Sequence, residues 1–305
     1  MPGTAVSFVA PKVPEVVGAG VDLLLGYPIP GIFLVQQLDN RYLVLDGQQR
    51  LRTLRAFTEG VVFKREFSLK NVADRFKGLT YKDMPADLKR KLDNTFIQAT
   101  IVQSSTTPGA LDAVYQVFER LNAGGTQLTP HEIRIALYAG PFVEWLTALS
   151  DSSEWRALYG PPPRHLRDQE LLLRILALSI DPDSYKRPLK KYLNDFTEEY
   201  RECSNLDTQQ IEDRFIAAAR VLFEAEGMSA LRPVGSAVNA AWTEAVFIGL
   251  MKRLEDGAVG FSAVRDVLEN LRATPEFVQA TARATADLDS VQTRMRLAIA
   301  AFAGI

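Results

Sequence analysis

The spacing of apolar residues changes near Pro108, and this change limits the possible folds more than any other feature of the sequence. Before Pro108, short apolar runs alternate with turns, at 31–35, 41–45 and 95–103. Runs of this length and pattern predict strands, with the first two paired in a hairpin. After Pro108 the apolar residues recur at helical spacing almost without interruption. The sequence therefore predicts an α+β protein, in which a small mixed sheet with helices precedes an all-helical block.

The run Pro161-Pro162-Pro163 is the clearest break in the chain. We expect three parts: an α/β domain at 1–105, a helical segment at 106–160 that packs on it, and an all-helical domain at 161–305. Helices of the last part are predicted at 168–180, 189–201, 208–225, 240–255 and 274–301.

Composition and charge exclude several classes of protein. The net charge is −2, so the molecule as a whole is not the cationic body of a protein that holds DNA mainly through phosphates. The single Cys203 excludes a disulfide framework, and with His131 and His165 it forms no zinc-ligand pattern, so no metal site is predicted. Residues 1–10 lack the features of a secretion signal, and no stretch reaches the roughly 20 uncharged residues of a membrane span. We expect a cytoplasmic protein that does not bind a membrane.

The apolar run 42–45 ends abruptly at Asp46-Gly47, and a helix is predicted at 48–58. A turn of this kind directs backbone N–H groups and the positive end of a helix dipole at one point, which suits phosphate or carboxylate. Gly47 lets the backbone approach a ligand closely, Asp46 could orient a metal ion or water, and Arg50 could donate two bonds to a phosphate. A purely structural pair between Asp46 and Arg50 explains the same residues equally well.

A second group of polar residues follows the helix predicted at 111–121. Gly124 and Gly125 permit positive φ and a close approach to a ligand there. A simple helix stop, followed by the cap of the next helix, accounts for the same glycines.

The next helix is predicted to start with a capping box between Thr129 and Glu132 and to end near Gly140. His131 is then a residue of the first helical turn and not a catalytic base. His165 lies beside three prolines and is interpreted as a solvated loop histidine.

Local clusters of basic residues could still contact nucleic acid. Arg164, Arg167 and Arg174 lie close together in the sequence, and a short basic run precedes the following helix. We take Arg164, Arg167, Lys190 and Lys191 as the candidate nucleic-acid contacts. Ordinary solvated side chains at a helix start explain the same pattern.

The turn at 45–51, preceded by a Gly-Tyr-Pro-Ile-Pro run at 26–30, resembles the signature of the DGQQR family. That family has a ParB/sulfiredoxin-like domain and supplies the N-terminal half of GmrSD-type modification-dependent restriction enzymes and of phosphorothioate-sensing phage-defence proteins. The segment 117–140 is similar to the family's second motif, and 167–174 resembles the start of its helical part. The resemblance extends over about residues 21–200.

The resemblance implies a ParB/sulfiredoxin-like fold that binds or hydrolyses a nucleoside triphosphate, with or without Mg²⁺. It implies a sensor subunit of a prokaryotic anti-phage or modification-dependent restriction system. Catalytic or phosphate-handling roles would fall to Asp46, Gln48, Gln49 and Arg50. The residues that would bind the nucleotide are Gly47, Thr53, Arg120, Asn122, Gly124, Gly125 and Thr126.

The sequence departs from the family pattern in three places. Arg52 stands where the family more often has threonine. Residues 1–14 lack the usual Gln-Arg element and tryptophan, which predicts an exposed sheet edge and a homo-oligomer. No histidine follows His165, so the His-Asn-His nuclease that many relatives carry is not expected in this chain, and a nuclease or ATPase partner is expected instead.

Two other functions stay open at this point. One is a non-catalytic nucleic-acid-binding or regulatory module on the same fold. The other is a nuclease that acts through the ParB-like domain itself, although the sequence contains no carboxylate-rich metal cluster.

Overall fold

The computed structural model describes residues 30–36, 42–62, 65–66, 76–103, 110–121 and 128–305. Two compact units make up the chain, residues 1–110 with 116–122 and residues 111–115 with 123–305. The three-part division predicted from the sequence stays a prediction.

The strands lie in the first unit, at β1 (Ile32–Gln36), β2 (Tyr42–Asp46), β3 (Val61–Val62), β4 (Arg65–Glu66) and β5 (Ala99–Gln103). Three of them form a sheet in the order β2-β1-β5, in which β1 runs antiparallel to β2 and parallel to β5. Val35 is opposite Leu43, which confirms the antiparallel pairing predicted for the first two strands. Strands β3 and β4 form a separate antiparallel pair.

Helix α1 (Gln48–Glu59) lies between two left-handed glycines, Gly47 with a φ of 90° and Gly60 with a φ of 74°. The N–H of Gly60 donates to the carbonyl of Phe57 at 3.2 Å, which is the C-cap expected of a glycine at this place. Thr53 and Phe57, one turn apart, form the buried side of the helix.

The remaining helices are α2 (Ala86–Asp93), α3 (Ala110–Leu121), α4 (Pro130–Leu137), α5 (Pro141–Ser150), α6 (Ser153–Tyr159), α7 (Arg167–Ile180), α8 (Leu189–Glu199), α9 (Thr208–Glu226), α10 (Ala240–Arg253), α11 (Phe261–Ala273), α12 (Pro275–Ala282) and α13 (Leu288–Ala303). The strands followed by this long run of helices confirm the predicted α+β class. The sequence pattern does not predict separate helices at α2, α5, α6 and α11.

Helix α4 starts with the predicted capping box. Oγ1 of Thr129 accepts from the N–H of Glu132 at 3.3 Å, and the N–H of Thr129 donates to Oε2 of Glu132 at 2.7 Å. The helix ends at Leu137, short of the end predicted near Gly140, and α5 begins at Pro141.

The single helix predicted at 274–301 is wrong, because the chain is interrupted between α12 and α13. No glycine or proline marks the interruption, so the helical sequence pattern continues through it. Arg294 donates to the carbonyl of Thr285 at 2.6 Å. The hydroxyl of Tyr185 donates to the carbonyl of Ala286 at 2.6 Å. These bonds to residues elsewhere in the fold override the local helical preference.

Helix α10 lies at the centre of the second unit. Every residue from Ala241 to Met251 is buried, and α7, α9 and α13 pack around it. Gly249 permits the close contact with α13, since a Cβ there would lie 2.7 Å from a ring carbon of Phe302 and 2.8 Å from the carbonyl oxygen of Ala298. Within the described ranges, no helix combines the length and the apolar character needed to cross a membrane.

Candidate functional site

The turn between β2 and α1 requires a glycine. Gly47 is buried and has a φ of 90° and a ψ of 7°, a left-handed conformation that other residues adopt at a cost. A Cβ at this position would lie 2.4 Å from Cγ2 of Ile32 on β1. Backbone conformation and the neighbouring strand therefore both exclude a side chain here.

Helix α1 begins at this turn without a side-chain cap. Among the residues that the structure describes, no side chain accepts from its first N–H groups, and no acidic residue lies in its first turn. The first helical bond runs from the N–H of Leu51 to the carbonyl of Gly47 at 2.9 Å. The uncapped N–H groups and the positive end of the helix dipole together favour an anion at this point.

Arg50 contacts the residues before β1 and the last residue of β2, which lie at the same end of this antiparallel pair. Its Nη1 donates to the carbonyl oxygens of Pro30 and Gly31, the second at 2.8 Å. Its Nη2 donates to Oδ2 of Asp46 at 2.7 Å. The pair of Asp46 and Arg50 that the sequence left as an alternative is therefore present.

The ion pair of Asp46 and Arg50 is only partly buried, with side chains 41% and 22% exposed. Oδ1 of Asp46 accepts no hydrogen bond from any residue that the structure describes, so one carboxylate oxygen is open to a ligand. A half-exposed pair contributes about 1 kcal/mol or less to stability, well below a buried pair. The ion pair therefore contributes little to the stability of the fold. Its main effect is to hold the two side chains in place at the start of α1.

The two amides of the turn are half-buried. Oε1 of Gln49 is buried and has no hydrogen-bond partner among the described residues. An unpaired buried acceptor costs free energy unless a donor from water or a ligand reaches it. Gln48 and Gln49 are the first two residues of α1, between Asp46 and Arg50 in the chain.

The structure describes only some of the residues predicted to bind the nucleotide. Thr53 is 3% exposed and packs on the inner side of α1. Arg120 is exposed in the last turn of α3. Asn122, Gly124, Gly125 and Thr126 lie outside the described residues.

A divalent metal would find few protein ligands near the turn. Among the residues that the structure describes, no group of three or more histidine, cysteine, aspartate or glutamate side chains could hold a metal ion. Mg²⁺ bound with a nucleotide needs fewer, because it keeps several waters and takes one or two carboxylates besides the phosphates. The open oxygen of Asp46 fits that single-carboxylate role.

The basic residues of the second unit that were predicted to contact nucleic acid differ in their exposure and in their partners within the protein. Arg164 and Arg167 are exposed on either side of His165 and Leu166, which have left-handed φ values of 64° and 51°. Two successive left-handed residues that are not glycine are uncommon and costly, which is typical of functional or tightly held turns.

Lys190 and Lys191 have partners within the protein. Nζ of Lys191 donates to both oxygens of Asp195 at 2.7 and 2.9 Å, and this hydrogen bond raises the pKa of Lys191. Nζ of Lys190 lies 5.6 Å from the centre of the Tyr115 ring. Their charge is therefore less available to a phosphate backbone than that of Arg164 and Arg167.

Arg174 does not join the other arginines at the surface. It contacts Oε1 of Glu244, a fully buried carboxylate on α10, whose Oε2 accepts from Nη2 of Arg294 at 2.7 Å. Burying one carboxylate between two guanidinium groups is stable only while all partners are present. Arg174 therefore has a structural role that the sequence did not reveal.

A buried polar network surrounds His131, and no sequence pattern indicates it. Nε2 of His131 lies 3.0 Å from Oε1 of Gln169, whose amide nitrogen donates to Oγ1 of Thr147 at 2.9 Å. Nδ1 of His131 lies 3.2 Å from Nη1 of Arg134, and Nε of Arg134 donates to Oδ1 of Asn194 at 2.8 Å. Since the arginine can only donate, Nδ1 accepts and Nε2 carries the proton.

Burial lowers the pKa of His131 to about 3, and the charge of Arg134 acts in the same direction against the hydrogen bond with Gln169. His131 is thus a neutral core residue, and it lies in the first turn of α4 as the sequence predicts. His165 is not the freely solvated histidine expected from the sequence, since Nδ1 lies 3.3 Å from both carboxylate oxygens of Glu132.

An open groove of about 510 Å³ lies in the second unit between the start of α6 and α9. None of the residues predicted to act in catalysis or binding lines it. Its lining residues are Ser152, Ser153, Glu154, Glu212, Asp213, Ile216, Ala217 and Arg220. Glu154 and Arg220 form an ion pair at 2.9 Å across it.

No curated protein and no solved structure matches the chain. The family model of the GmrSD restriction endonuclease N-terminal domain matches residues 20–139, which is less than half of the chain. The matched segment contains the Asp46–Arg50 turn, helix α1 and the capping box of α4. The first motif, 45–51, therefore lies inside it, and so does the second motif, 117–140, except for its last residue. Residues 20–139 are thus similar to the N-terminal domain of GmrSD restriction endonucleases.

Proposed function

We propose that this chain is a subunit of a modification-dependent restriction system that binds and hydrolyses a nucleoside triphosphate as a sensor, on a ParB/sulfiredoxin-like fold. The observation that carries the proposal is the start of α1, where a left-handed Gly47 and an uncapped helix N-terminus adjoin Asp46. The family match of residues 20–139 supports the restriction context.

Each group at the turn has a role that suits a triphosphate. The N–H groups at the start of α1 bind phosphate oxygens, as helix N-termini do in other nucleotide sites. Asp46 offers one open oxygen to Mg²⁺, whose chemistry is to neutralise the developing charge on the phosphates. Gln48 and Gln49 supply amide groups that bind or orient the attacking water. The family resemblance assigns nucleotide binding also to Arg120, Asn122, Gly124, Gly125 and Thr126 of the second motif.

DNA cleavage depends on a second polypeptide, a nuclease or ATPase partner. The proposal is supported by the lack of a metal-binding cluster among the described residues. Arg164 and Arg167 are the stronger DNA contacts because both are exposed, whereas Lys190 and Lys191 contribute less. Self-association in the cytoplasm is part of the same proposal, and it is supported by β5, which lies at one side of the described sheet with Ile101 half exposed.

The test is phosphate release from each of the common nucleoside triphosphates by the purified full chain with Mg²⁺. The wild type should release phosphate, and Asp46→Ala should release it far more slowly. The half-exposed pair predicts that this variant loses about 1 kcal/mol of stability or less, so its melting temperature should stay close to that of the wild type. Wild-type turnover in Asp46→Ala would remove the catalytic proposal.

A second function is favoured by a specific observation. Three donors of Arg50 are already occupied by Pro30, Gly31 and Asp46, as expected for a turn that is structural. In that case the chain is a non-catalytic nucleic-acid-binding or regulatory module. Binding of a triphosphate or of duplex DNA without phosphate release would identify this second function.

A further inference from the structure

The guanidinium of Arg50 is largely occupied within the protein. A guanidinium has five N–H donors in one plane. Nη1 uses both of its hydrogens on the carbonyls of Pro30 and Gly31, and Nη2 uses one on Oδ2 of Asp46. Three donors in one plane with three protein acceptors hold both the position and the tilt of the group.

These bonds join parts of the chain that meet at one side of the sheet. Pro30 and Gly31 lead into β1, Asp46 is the last residue of β2, and Arg50 lies in the first turn of α1. If Arg50 turned toward an external phosphate, two backbone carbonyls and a carboxylate would lose their donor together. Water can replace the donor to the exposed Pro30, so the costlier loss is the bond to the part-buried carbonyl of Gly31.

The same bonds determine how Asp46 is presented. Oδ2 is fixed by Arg50 at 2.7 Å, while Oδ1 accepts nothing from the described part of the chain. A carboxylate held through one oxygen offers the other in a set direction. Without Arg50, the side chain of Asp46, which is 41% exposed, would be free to rotate.

We propose that Arg50 is a positioning residue, which orients Asp46 and the entry to β1, and that it does not itself bind the phosphates. This inference rests on the proposed function of the turn. On this inference, Asp46, Gln48 and Gln49 contact the ligand. Arg50 acts only through Asp46.

The role of Arg50 predicts a particular split between kcat and KM. Arg50→Ala should lower kcat by about 100-fold, the size of effect expected when a reacting group is misplaced by about 1 Å. KM should change little, because the helix N-terminus still binds the phosphates. An arginine that binds phosphate directly gives the opposite pattern, with a raised KM on its loss.

The variant Arg50→Lys distinguishes positioning of Asp46 from direct binding of a phosphate. A lysine ammonium can replace a direct phosphate contact as a point charge, but it cannot reach two carbonyls and a carboxylate in the planar arrangement of a guanidinium. Arg50→Lys should therefore behave like Arg50→Ala in kcat. Free guanidinium added to Arg50→Ala should restore part of kcat, whereas added ammonium should not.

A double-mutant cycle tests whether Arg50 acts through Asp46. In the background of Asp46→Ala, the further change Arg50→Ala should lower the remaining turnover by no more than about twofold, because residues that act as one unit are strongly non-additive. Arg55→Ala is the matched control. Arg55 lies on the same helix and pairs with the exposed Glu59 at 2.8 Å, so its loss should leave turnover unchanged.

Amide hydrogen exchange of the full chain gives a readout that does not depend on turnover. Arg50→Ala and Arg50→Lys should speed exchange at 32–36 on β1, and Arg55→Ala should not. Unchanged exchange at β1, or a raised KM that lysine restores, would overturn the positioning role. If the wild type neither binds nor hydrolyses a triphosphate, the proposed function fails, and faster exchange at β1 would still establish what Arg50 holds in place.

Discussion

Replacing Gly47 with alanine should destabilise the first unit by about 3 kcal/mol. The left-handed backbone, with a φ of 90°, costs an alanine about 1–2 kcal/mol. The new methyl group would lie 2.4 Å from Cγ2 of Ile32, which is buried on β1, and forcing a methyl group into a packed site costs about 1–3 kcal/mol. The two costs add because one concerns the backbone and the other a neighbour.

Gly60→Ala separates these two costs. Gly60 has a similar φ of 74° at the other end of α1, and a Cβ there would meet nothing within 4 Å. This control variant should lose about 1 kcal/mol, the backbone cost alone. Adding Ile32→Ala to Gly47→Ala should make the pair less destabilising than the sum of the single changes, by roughly 1–3 kcal/mol.

The assay has to resolve the first unit from the second. The three tryptophans, Trp145, Trp155 and Trp242, all lie in the second unit, so their fluorescence does not follow the turn. Native-state hydrogen exchange of α1 and β1 measures the free energy of opening in the full chain. Equal losses in Gly47→Ala and Gly60→Ala would refute the contact with Ile32 as the cause.

Three further changes test the second unit. Because burial lowers the pKa of His131 to about 3, its contribution to stability is present above the usual pKa of about 6.5 and is lost as the pH falls toward 3. His131→Gln should reduce the pH dependence of urea unfolding in this range, and an unchanged slope would contradict the burial argument. Glu244→Gln leaves two guanidinium groups without their shared carboxylate and should cost about 3–5 kcal/mol by tryptophan fluorescence. Glu276→Gln, in an exposed pair, should cost about 1 kcal/mol or less, and equal losses would argue against a buried triad. Changing Arg164 and Arg167 to glutamate should flatten the salt dependence of duplex binding by up to about two log–log units, and an unchanged slope would remove the DNA role of this turn.

The sequence predicts those parts of the site that depend on neighbouring residues. Gly47 and Gly60 determine where α1 begins and ends through their own backbone preferences. The capping box needs only Thr129 and Glu132, three positions apart. In each case the cause lies within one helical turn, so the pattern of residues was sufficient.

The features that the sequence does not predict depend on residues far apart in the chain. The bonds from Arg50 to Pro30 and Gly31 exist only because β1 and β2 pair, and no spacing rule indicates them. Arg174 looked like a surface arginine until α7 and α10 brought it to Glu244. Local patterns carry no information on which polar residues will be buried together.

The most direct test of a triphosphate site at the start of α1 is hydrogen exchange of the full chain with and without a non-hydrolysable nucleoside triphosphate and Mg²⁺. Binding at the turn should slow exchange at 47–51, whose N–H groups would contact the phosphates. The same nucleotide should give much weaker protection in Asp46→Ala, because Mg²⁺ bound with the nucleotide would lose the carboxylate of Asp46 as a ligand. Protection confined to the second unit, or none at saturating nucleotide, would contradict the proposal that this turn binds a nucleoside triphosphate.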